Sequence, residues 1–404
     1  MPAATADLAA TIDRLPLVDH HCHGVRTVDP ASAADFEAWI SESTYLAAPG
    51  TTRWDTPVGL AVRRWCAPVL WLPPFPTPDE YLARRLALGA EEVNRRLLRA
   101  TGATTLLLDT GFRTDEIAAM DEMDRLGGTD SREIVRLETV AEDVARAGVG
   151  ASDYLEALAV ALRARAIDAV GLKTIVAYRL GFAFDPAPPA REEVVESIGR
   201  WLRGADTGAD GPPADARTGA PVTGTHASLP RLTDPTVLRH VLWAGAELAR
   251  ERDLPLQFHV GYGDPDLTLH RTDPTLLTDL LRRFDDLGVT VALLHCYPYH
   301  REAAYLADMF PRVYLDLGLA TTFAGASAGR MMAEALEVAP FTKLLYSSDG
   351  MGAAELHHLG AVQFRRGLAR ALGAWIDDDA CTLYEAERIA RLIASENARR
   401  IYSL

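Results

Sequence analysis

The sequence predicts a protein of the α/β class, and three observations support this prediction. Short apolar runs rich in β-branched residues alternate with segments whose apolar residues recur at helical spacing. Eight such runs are spread over the 404 residues. Several of them are apolar almost throughout, which is typical of parallel strands covered by helices on both faces. Eight repeats predict a closed (β/α)₈ TIM barrel, while an open, doubly wound sheet would produce the same alternation.

The predicted strands extend along the whole chain, and helical patterns lie between most of them. Residues 234–253, for example, place their apolar side chains at helical spacing. The eight predicted strands are 16–21 (PLVDHH), 104–112 (TTLLLDTGF), 133–139 (EIVRLET), 169–178 (AVGLKTIVAY), 254–260 (LPLQFHV), 290–297 (TVALLHCY), 313–319 (VYLDLGL) and 343–350 (KLLYSSDG).

Two insertions interrupt the alternation of strands and helices. Residues 28–103 follow the first predicted strand and contain helical patterns such as EEVNRRLLRA. Residues 182–233 follow the fourth and include a stretch rich in Gly, Pro, Ala and Asp at 204–228. That stretch carries too little apolar area to order itself, so we expect it to be mobile and open to proteolysis. No second core is predicted, so residues 1–404 are expected to form one domain.

Composition and charge exclude several classes of protein. The formal net charge of −15 argues against binding to nucleic acid, which requires a surplus of Lys and Arg. No apolar run approaches the roughly 20 residues that span a bilayer, and the N-terminus lacks the pattern of a signal peptide. The expected partner is a small-molecule substrate, with assembly as a homo-oligomer left open. Unpaired cysteine spacing predicts reduced thiols in a cytoplasmic protein, at Cys22, Cys66, Cys296 and Cys381.

Polar side chains fall at the carboxyl ends of the predicted strands, where a barrel gathers its active-site residues on one face. His21 and His23 close the first strand, and their i, i+2 spacing points both side chains to the same side. The other strand-end residues are Lys173, His259, His295 and Asp349. Imidazole and carboxylate groups are ligands that zinc and similar divalent ions prefer. A single buried histidine is more commonly a hydrogen-bonded core residue, but this set at separate strand ends predicts a metal site.

His20 and Cys22 alternate with this pair of histidines along the first strand. Their side chains therefore point to the opposite face of the strand. We expect both residues to have structural roles.

Several segments resemble the amidohydrolase superfamily, whose members carry HxH on strand one, Lys or Glu on strand four, His on strands five and six, and Asp on strand eight. The resemblance is carried by GLKTIVAYRLG, LPLQFHVGYGDPDL, LLHCYPYHREAAYLADMFPRVYLDLGLA and KLLYSSDG. These segments are similar to the amidohydrolase domain that precedes glutamine synthetase-like domains in nodulin-related and fungal developmental proteins. The resemblance implies metal-dependent amide hydrolysis. The association with glutamate–amine ligases implies a γ-glutamyl amide as substrate.

The resemblance also implies roles for the strand-end residues. His21 and His23, with His259 and Asp349 nearby, would hold a divalent ion, expected to be zinc, with manganese or iron as alternatives. His295 would be a further ligand or would polarise the scissile carbonyl. Asp349 would carry the proton from water to the leaving amine. The alternative for Asp349 is an aspartate that only forms a turn.

Lys173 decides whether one or two ions bind. In some relatives the matching lysine is carboxylated and bridges two ions, which requires a neutral amine that burial beside cations favours. The apolar run continues beyond Lys173. The alternative is therefore a plain lysine that lies deeper in the barrel and pairs with a carboxylate.

Three further residues are predicted to bind substrate. Arg179 suits a substrate carboxylate because its planar guanidinium can pair with both oxygens. Glu138 would hold an ammonium group, and Tyr262 lies on a loop expected to border the pocket. For Arg179 and Glu138 the alternative is structural ion pairing. Two other functions fit the same sequence, namely zinc-dependent non-oxidative decarboxylation and a metal-binding module without catalysis.

Overall fold

The computed structural model describes residues 3–113, 115–206 and 231–404. Seven parallel strands form one sheet in which each strand pairs with the next along the chain. A doubly wound sheet would reverse its strand order at a switch point, so the sequential order excludes that alternative. The parallel α/β architecture is confirmed. The strands are β1 (Leu17–Cys22), β2 (Ala103–Asp109), β3 (Asp130–Arg136), β4 (Gly171–Thr174), β5 (Leu256–His259), β6 (Val291–Leu294) and β7 (Val313–Leu315).

The eighth predicted strand, at 343–350, does not form a regular ladder, so its prediction as a full strand is wrong. Its backbone nevertheless hydrogen-bonds to both edge strands. The amide of Leu345 donates to Leu315 on β7 at 2.9 Å, and the amide of His20 on β1 donates to Tyr346 at 3.1 Å. The segment therefore bridges the two edges of the sheet.

Helices precede β1 and fill the first insertion. They are α1 (Ala3–Asp13), α2 (Ala33–Trp39), α3 (Pro57–Ala61), α4 (Ala67–Val69), α5 (Pro78–Leu88) and α6 (Ala90–Arg99). A 3₁₀ turn at Arg53–Asp55 and a π-helical segment at Val62–Cys66 lie among them. Thr77 shows why α5 begins where it does, because its hydroxyl and the Glu80 carboxylate form a reciprocal capping box ahead of Pro78.

Helices also follow each later strand. Those after β2, β3 and β4 are α7 (Met120–Gly127), α8 (Leu137–Arg146), α9 (Tyr154–Arg165), α10 (Val176–Arg179), α11 (Arg191–Asp206) and α12 (Pro235–Arg252). The remaining helices are α13 (Thr278–Leu287), α14 (His300–Met309), α15 (Gly318–Ala324), α16 (Ala328–Ala335), α17 (Ala354–Asp377), α18 (Leu383–Arg391) and α19 (Asn397–Ile401). Short 3₁₀ or π segments occur at Leu269–Thr272, Pro274–Leu277, Gly325–Ser327 and Leu392–Glu396. Among the described helices, none has the length and hydrophobicity to cross a bilayer.

The third and fourth strands end earlier than predicted, which moves two predicted site residues onto helices. β3 ends at Arg136, so Glu138 lies in the first turn of α8. β4 ends at Thr174, so Arg179 lies at the end of the short helix α10. Periodicity failed here because a short buried helix and a buried strand give the same apolar run.

Buried apolar side chains form the main core between the sheet and its helices, and a second cluster lies under the first insertion. The guanidinium of Arg85 on α5 joins the carboxylate of Glu355 on α17 at 2.9 Å, with both side chains almost fully buried. This contact fixes the insertion to the last long helix. The extent of the domain, 1–404, stays a prediction. The stretch predicted to be mobile is 204–228. Its first residues, 204–206, form the end of α11, and the rest lies outside the described residues.

Candidate metal centre

The carboxyl ends of five separate segments bring the predicted ligands together. His21 is the fifth residue of β1 and His23 follows that strand directly, so both side chains point to the same side. Lys173 and His259 stand at the ends of β4 and β5, respectively. All of the predicted ligands are buried or nearly so, including His295 after β6 and Asp349 in the bridging segment.

The Asp349 carboxylate lies at the centre of the cluster. Its Oδ1 atom is 3.2 Å from Nε2 of His21 and 3.6 Å from Nε2 of His23. Its Oδ2 atom is 3.4 Å from Nε2 of His295. The ring centroids of His259 and His295 are 5.0 Å apart. The potential ligand atoms of His21, His295 and Asp349 all lie within 4.8 Å of one another.

Four buried atoms of this cluster have no hydrogen-bond partner among the described residues. One is Nδ1 of His295, and the three that could share one ion are Nε2 of His259, Nε2 of His295 and Oδ1 of Asp349. An unpaired buried polar group costs roughly 1–3 kcal/mol, so such groups are uncommon without a reason. A divalent ion would give all three a partner, and imidazole nitrogen with carboxylate oxygen is a donor set that zinc, manganese and iron accept. The residues therefore fit a divalent metal ion.

Hydrogen bonds fix the protonation of the two β1 histidines. Nδ1 of His21 lies 2.9 Å from Oε1 of Gln257, whose amide nitrogen donates to the backbone carbonyl of His20 at 2.8 Å. Nδ1 of His23 lies 3.2 Å from the backbone carbonyl of Asp109. Because both partners are acceptors, Nδ1 must carry the proton in each ring. The Nε2 lone pairs then face the centre, as metal ligation requires.

Burial keeps these imidazoles neutral. Desolvation lowers the pKa of His21, His259 and His295 well below its usual range, and that of His23 to about 3. The neutral ring is the form that binds metal. Desolvation also raises the pKa of Asp349 well above its usual range.

Lys173 reaches the same centre. Its Nζ atom lies 2.8 Å from Nε2 of His21 and 3.3 Å from Oδ2 of Asp109. The carboxylate of Asp109 also pairs with Arg136 at 2.6 Å. Since β4 ends one residue after Lys173, the lysine does not lie deeper than a ligand would. Burial lowers the pKa of Lys173. The contacts of Nζ with His21 and Asp109 are compatible with a plain lysine as well as a carboxylated one.

Two residues of the cluster have strained backbone. His295 has φ 59° and Asp349 has φ 48°, a region that costs roughly 1–3 kcal/mol outside glycine. The amide of His295 donates to Oδ1 of Asp316 at 2.7 Å, and the amide of Asp349 donates to the His21 carbonyl at 3.1 Å. Asp316 also pairs with Nε2 of His20 at 2.7 Å. His20 therefore orients Asp316 and does not itself face the centre.

A cavity of about 410 Å³ opens onto the cluster, lined by His23, Lys173, His259 and Asp349 among others. The first insertion contributes Trp39 and Glu42 to the lining, and the loop after β2 contributes Phe112 and Arg113. The insertion therefore forms one wall of the cavity.

The cavity contains carboxylates without cationic partners. Glu42 is half-buried and makes no hydrogen bond or ion pair with any described residue. The carboxylate of Asp264, also in the lining, accepts a hydrogen bond only from the amide of Asp266 at 2.9 Å, within the described ranges. Burial and the nearby Asp264 raise the pKa of Glu42 to about 7. These groups place two carboxylates that are not in ion pairs beside the metal centre, with Arg231 and Arg113 acting on Asp264 from a distance.

The predicted substrate-binding residues are placed differently from one another. Arg179 lines the cavity, but its guanidinium already pairs with Glu142 at 3.1 Å. Glu138 holds the end of β4 by accepting from the Thr174 hydroxyl at 2.5 Å and the Ile175 amide at 3.0 Å. In the described part of the chain, the cavity lining includes neither Glu138 nor Tyr262. Glu138 is therefore a support of β4 and does not face the cavity.

Sequence reasoning missed several residues of the site. Asp109 and Arg136 end β2 and β3, and the strand-end argument could have found both. Gln257 lies two residues before His259 on β5, and the same alternation could have found it. Glu42 lies in the first insertion, where no periodic pattern pointed to the cavity.

Comparisons with known proteins define the class. A family model described as amidohydrolase matches residues 113–404, which is more than half of the chain. The chain belongs to the amidohydrolase family, and the predicted resemblance is confirmed. Family membership supports a hydrolase-type enzyme that depends on a divalent metal.

Particular relatives agree with this assignment. Protein fluG of Emericella nidulans is 27% identical over 429 residues, covering 100% of this chain and 47% of that protein. This chain thus spans about half the length of that curated relative. A crystal structure described as a metal-dependent hydrolase of Lactobacillus casei shares 28% identity and a TM-score of 0.79, covering 98% of this chain and 97% of that one.

More distant structures share the fold alone. A uronate isomerase of Bacillus halodurans matches with a TM-score of 0.62 at 13% identity, covering 99% of this chain and 96% of that one. A glucuronate isomerase of Caulobacter crescentus matches with a TM-score of 0.63 at 17% identity, covering 99% and 94%. The same fold therefore supports more than one reaction.

Proposed function

We propose that this protein is a metal-dependent amidohydrolase that cleaves the C–N bond of a small γ-glutamyl amide. In this proposal the barrel is closed, and residues 343–350 occupy the position of its eighth strand. The observation that carries the proposal is the set of buried, unpartnered ligand atoms facing a cavity in a chain of the amidohydrolase family. Zinc is the proposed ion, with manganese and iron as alternatives. The cytoplasm is the proposed location, because the described structure leaves all four cysteines as free thiols.

His21, His23, His259 and Asp349 would hold the ion, and a bound divalent ion lowers the pKa of water and polarises a carbonyl. Asp349 takes one proton from the attacking water and passes it to the leaving nitrogen, so that water and amide give a carboxylic acid and an amine, which ionise to a carboxylate and an ammonium ion. Its Oδ2 atom is directed at His295, leaving Oδ1 without a partner among the described residues. His295 orients the scissile carbonyl.

Charges in the cavity support a zwitterionic substrate. A γ-glutamyl head group carries one carboxylate and one ammonium group. The unpaired carboxylates of Glu42 and Asp264 suit the ammonium, and they take the role first predicted for Glu138. Arg113 lines the same cavity, makes only a long contact of 3.5 Å with Glu116 and suits the carboxylate, whereas Arg179 would have to exchange its partner Glu142 for it. A neutral amide would leave the carboxylates of Glu42 and Asp264 unmatched.

The number of ions depends on Lys173. If the centre binds one ion, the Lys173 ammonium group stays paired with Asp109, as the 3.3 Å contact between Nζ and Oδ2 allows. Carboxylation would convert it into a bridging ligand, and the lowered pKa favours the neutral amine that this reaction requires.

The proposal is tested by glutamate release from a panel of γ-glutamyl amines, using protein reconstituted with zinc or manganese. Dipeptides without a γ-linkage and aromatic acids serve as control substrates. We expect glutamate from the γ-glutamyl amines alone. Carbon dioxide from an aromatic acid without any glutamate would contradict the proposal and favour a decarboxylase.

A further inference from the structure

A second group of potential metal ligands lies outside the candidate centre. Asp19 and Cys22 come from β1, and His357 comes from the first turns of α17. Their potential ligand atoms all lie within 4.8 Å of one another. The three residues are 2%, 0% and 1% exposed, respectively, so solvent does not satisfy them.

His357 gives an independent sign that a ligand is missing. Neither of its ring nitrogens has a hydrogen-bond partner in the described part of the chain. The ring is held in place by Gly350, where a Cβ atom would lie 2.5 Å from the Cγ atom of His357. The His23 backbone is a polar neighbour of the ring.

We propose that Asp19, Cys22 and His357 bind a structural divalent ion of the zinc class between β1 and α17. Thiolate, imidazole and carboxylate are the three ligand types that zinc prefers. Tetrahedral zinc places its ligand atoms about 3.3–3.8 Å apart, a spacing that is compatible with ligand atoms within 4.8 Å of one another. The site is distinct from the candidate centre, whose ligands include no thiol.

The chemistry of the three side chains agrees with this assignment. Cys22 is fully buried and its thiol makes only a long contact of 3.9 Å with the Leu107 carbonyl, so no strong hydrogen bond competes with an ion; binding as thiolate would release the thiol proton to solvent. Asp19 is oriented by the amide of Ser348 at 2.9 Å and by its hydroxyl at 2.5 Å. Hydrogen bonds to a ligating carboxylate are typical of the surroundings of metal ligands.

The position of the ion suggests its role. Ser348 precedes Asp349, and its hydroxyl also accepts from the amide of Gly350 at 2.9 Å. An ion on Asp19 would therefore fix the strained turn that presents Asp349 to the cavity. It would also join the start of α17 to β1.

Cobalt(II) distinguishes this site from the candidate centre, because a cobalt–thiolate bond gives a charge-transfer band in the near ultraviolet. The measurement uses full-length protein stripped with chelator and reloaded with Co²⁺ alone. We expect the band in the wild type and in His21→Ala, which impairs only the candidate centre. We expect Cys22→Ser to lose the band and one equivalent of bound metal.

Matched controls are available for both side chains. Cys66 is a buried thiol in the same apolar cluster as Cys22, so Cys66→Ser should keep the band. His357→Gln should lose or shift the band, whereas His358→Gln, a change at the adjacent buried histidine, should keep it.

The absence of a band in cobalt-loaded wild type would overturn the proposal, as would a band that depends on Cys66 or Cys296 instead. If Cys22→Ser does not fold, His357→Gln decides the question because it retains the thiol. Glutamate release is not the readout, so failure of the proposed hydrolysis leaves this result interpretable.

Discussion

Asp349 is the residue on which the proposed proton transfer depends most directly. Its carboxylate is within 3.6 Å of three imidazoles, and burial raises its pKa. We predict that Asp349→Asn lowers kcat by about 10²–10⁴-fold, because removal of a positioned acid or base has this effect. Steady-state kinetics must be paired with metal analysis, since Asp349 is also a proposed ligand. Recovery of activity on reloading with metal would limit Asp349 to ligation.

Glu42 is the residue that should make substrate binding depend on pH. Its pKa of about 7 means that the carboxylate is charged above this pH and becomes neutral as pH falls through it. We predict that kcat/KM for a γ-glutamyl amide falls on the acid side of pH 7, as the attraction for the substrate ammonium is lost. Glu42→Gln should have a raised KM and no such dependence on pH.

A substrate without the ammonium group provides the control for Glu42. The corresponding glutaryl amide should show no loss of kcat/KM that depends on Glu42, whereas histidine ligands would affect both substrates equally. Identical pH profiles for the two substrates in the wild type would contradict the role of Glu42.

At the scale of elements, the insertion depends on the ion pair between α5 and α17. The side chains of Arg85 and Glu355 are 1% and 0% exposed, and Nε of Arg85 lies 2.9 Å from Oε1 of Glu355. The hydroxyl of Tyr81 donates to the same carboxylate oxygen at 3.0 Å. We predict that Glu355→Gln lowers the free energy of unfolding by about 3–5 kcal/mol, since it removes the buried charged partner and leaves the Arg85 guanidinium only its longer contact of 3.3 Å with Asp29. Urea denaturation measures this change.

The matched control is the exposed ion pair between Glu91 on α6, also in the insertion, and Arg125 on α7. Glu91→Gln should change the free energy of unfolding by at most about 1 kcal/mol, because solvent screens the pair. Equal effects of the two substitutions would contradict the account of how the insertion is held.

The sequence predicted the parallel strands well because their apolar runs are local signals. Seven of the eight predicted runs form strands, and the alternation on β1 correctly places His21 and His23 on one side. The run at 343–350 lacks a regular ladder, and its extended backbone is interrupted at Asp349, where φ is 48°. Where the third and fourth runs change into helix, apolar content alone could not show the change.

The candidate site was less predictable than the strands because its contacts join distant residues. The tautomer of His21 depends on Gln257, which is 236 positions away, and Lys173 meets Asp109 across the sheet. Glu42 comes from an insertion whose position over the cavity is fixed by packing. Such contacts arise from strand register and tertiary packing, which no short motif encodes.

For the whole molecule, metal binding should contribute to stability. An ion that binds only the native state stabilises it by about 2.7 kcal/mol at 100 times its Kd. We predict that chelation lowers the midpoint of thermal unfolding and that added zinc restores it. Calorimetry with and without chelator measures the difference, and an unchanged midpoint with metal fully removed would contradict a bound ion.

Titration of apoprotein with zinc, followed by assay of glutamate release from a γ-glutamyl amine, tests the central proposal most directly. The measured release depends on the ligand cluster and on the charged cavity, and it tests the activity inferred from the amidohydrolase family. We expect release to rise in proportion to bound metal and to stop rising once the centre is filled. Fully loaded protein that releases no glutamate from any γ-glutamyl amine, with zinc or with manganese, would contradict it.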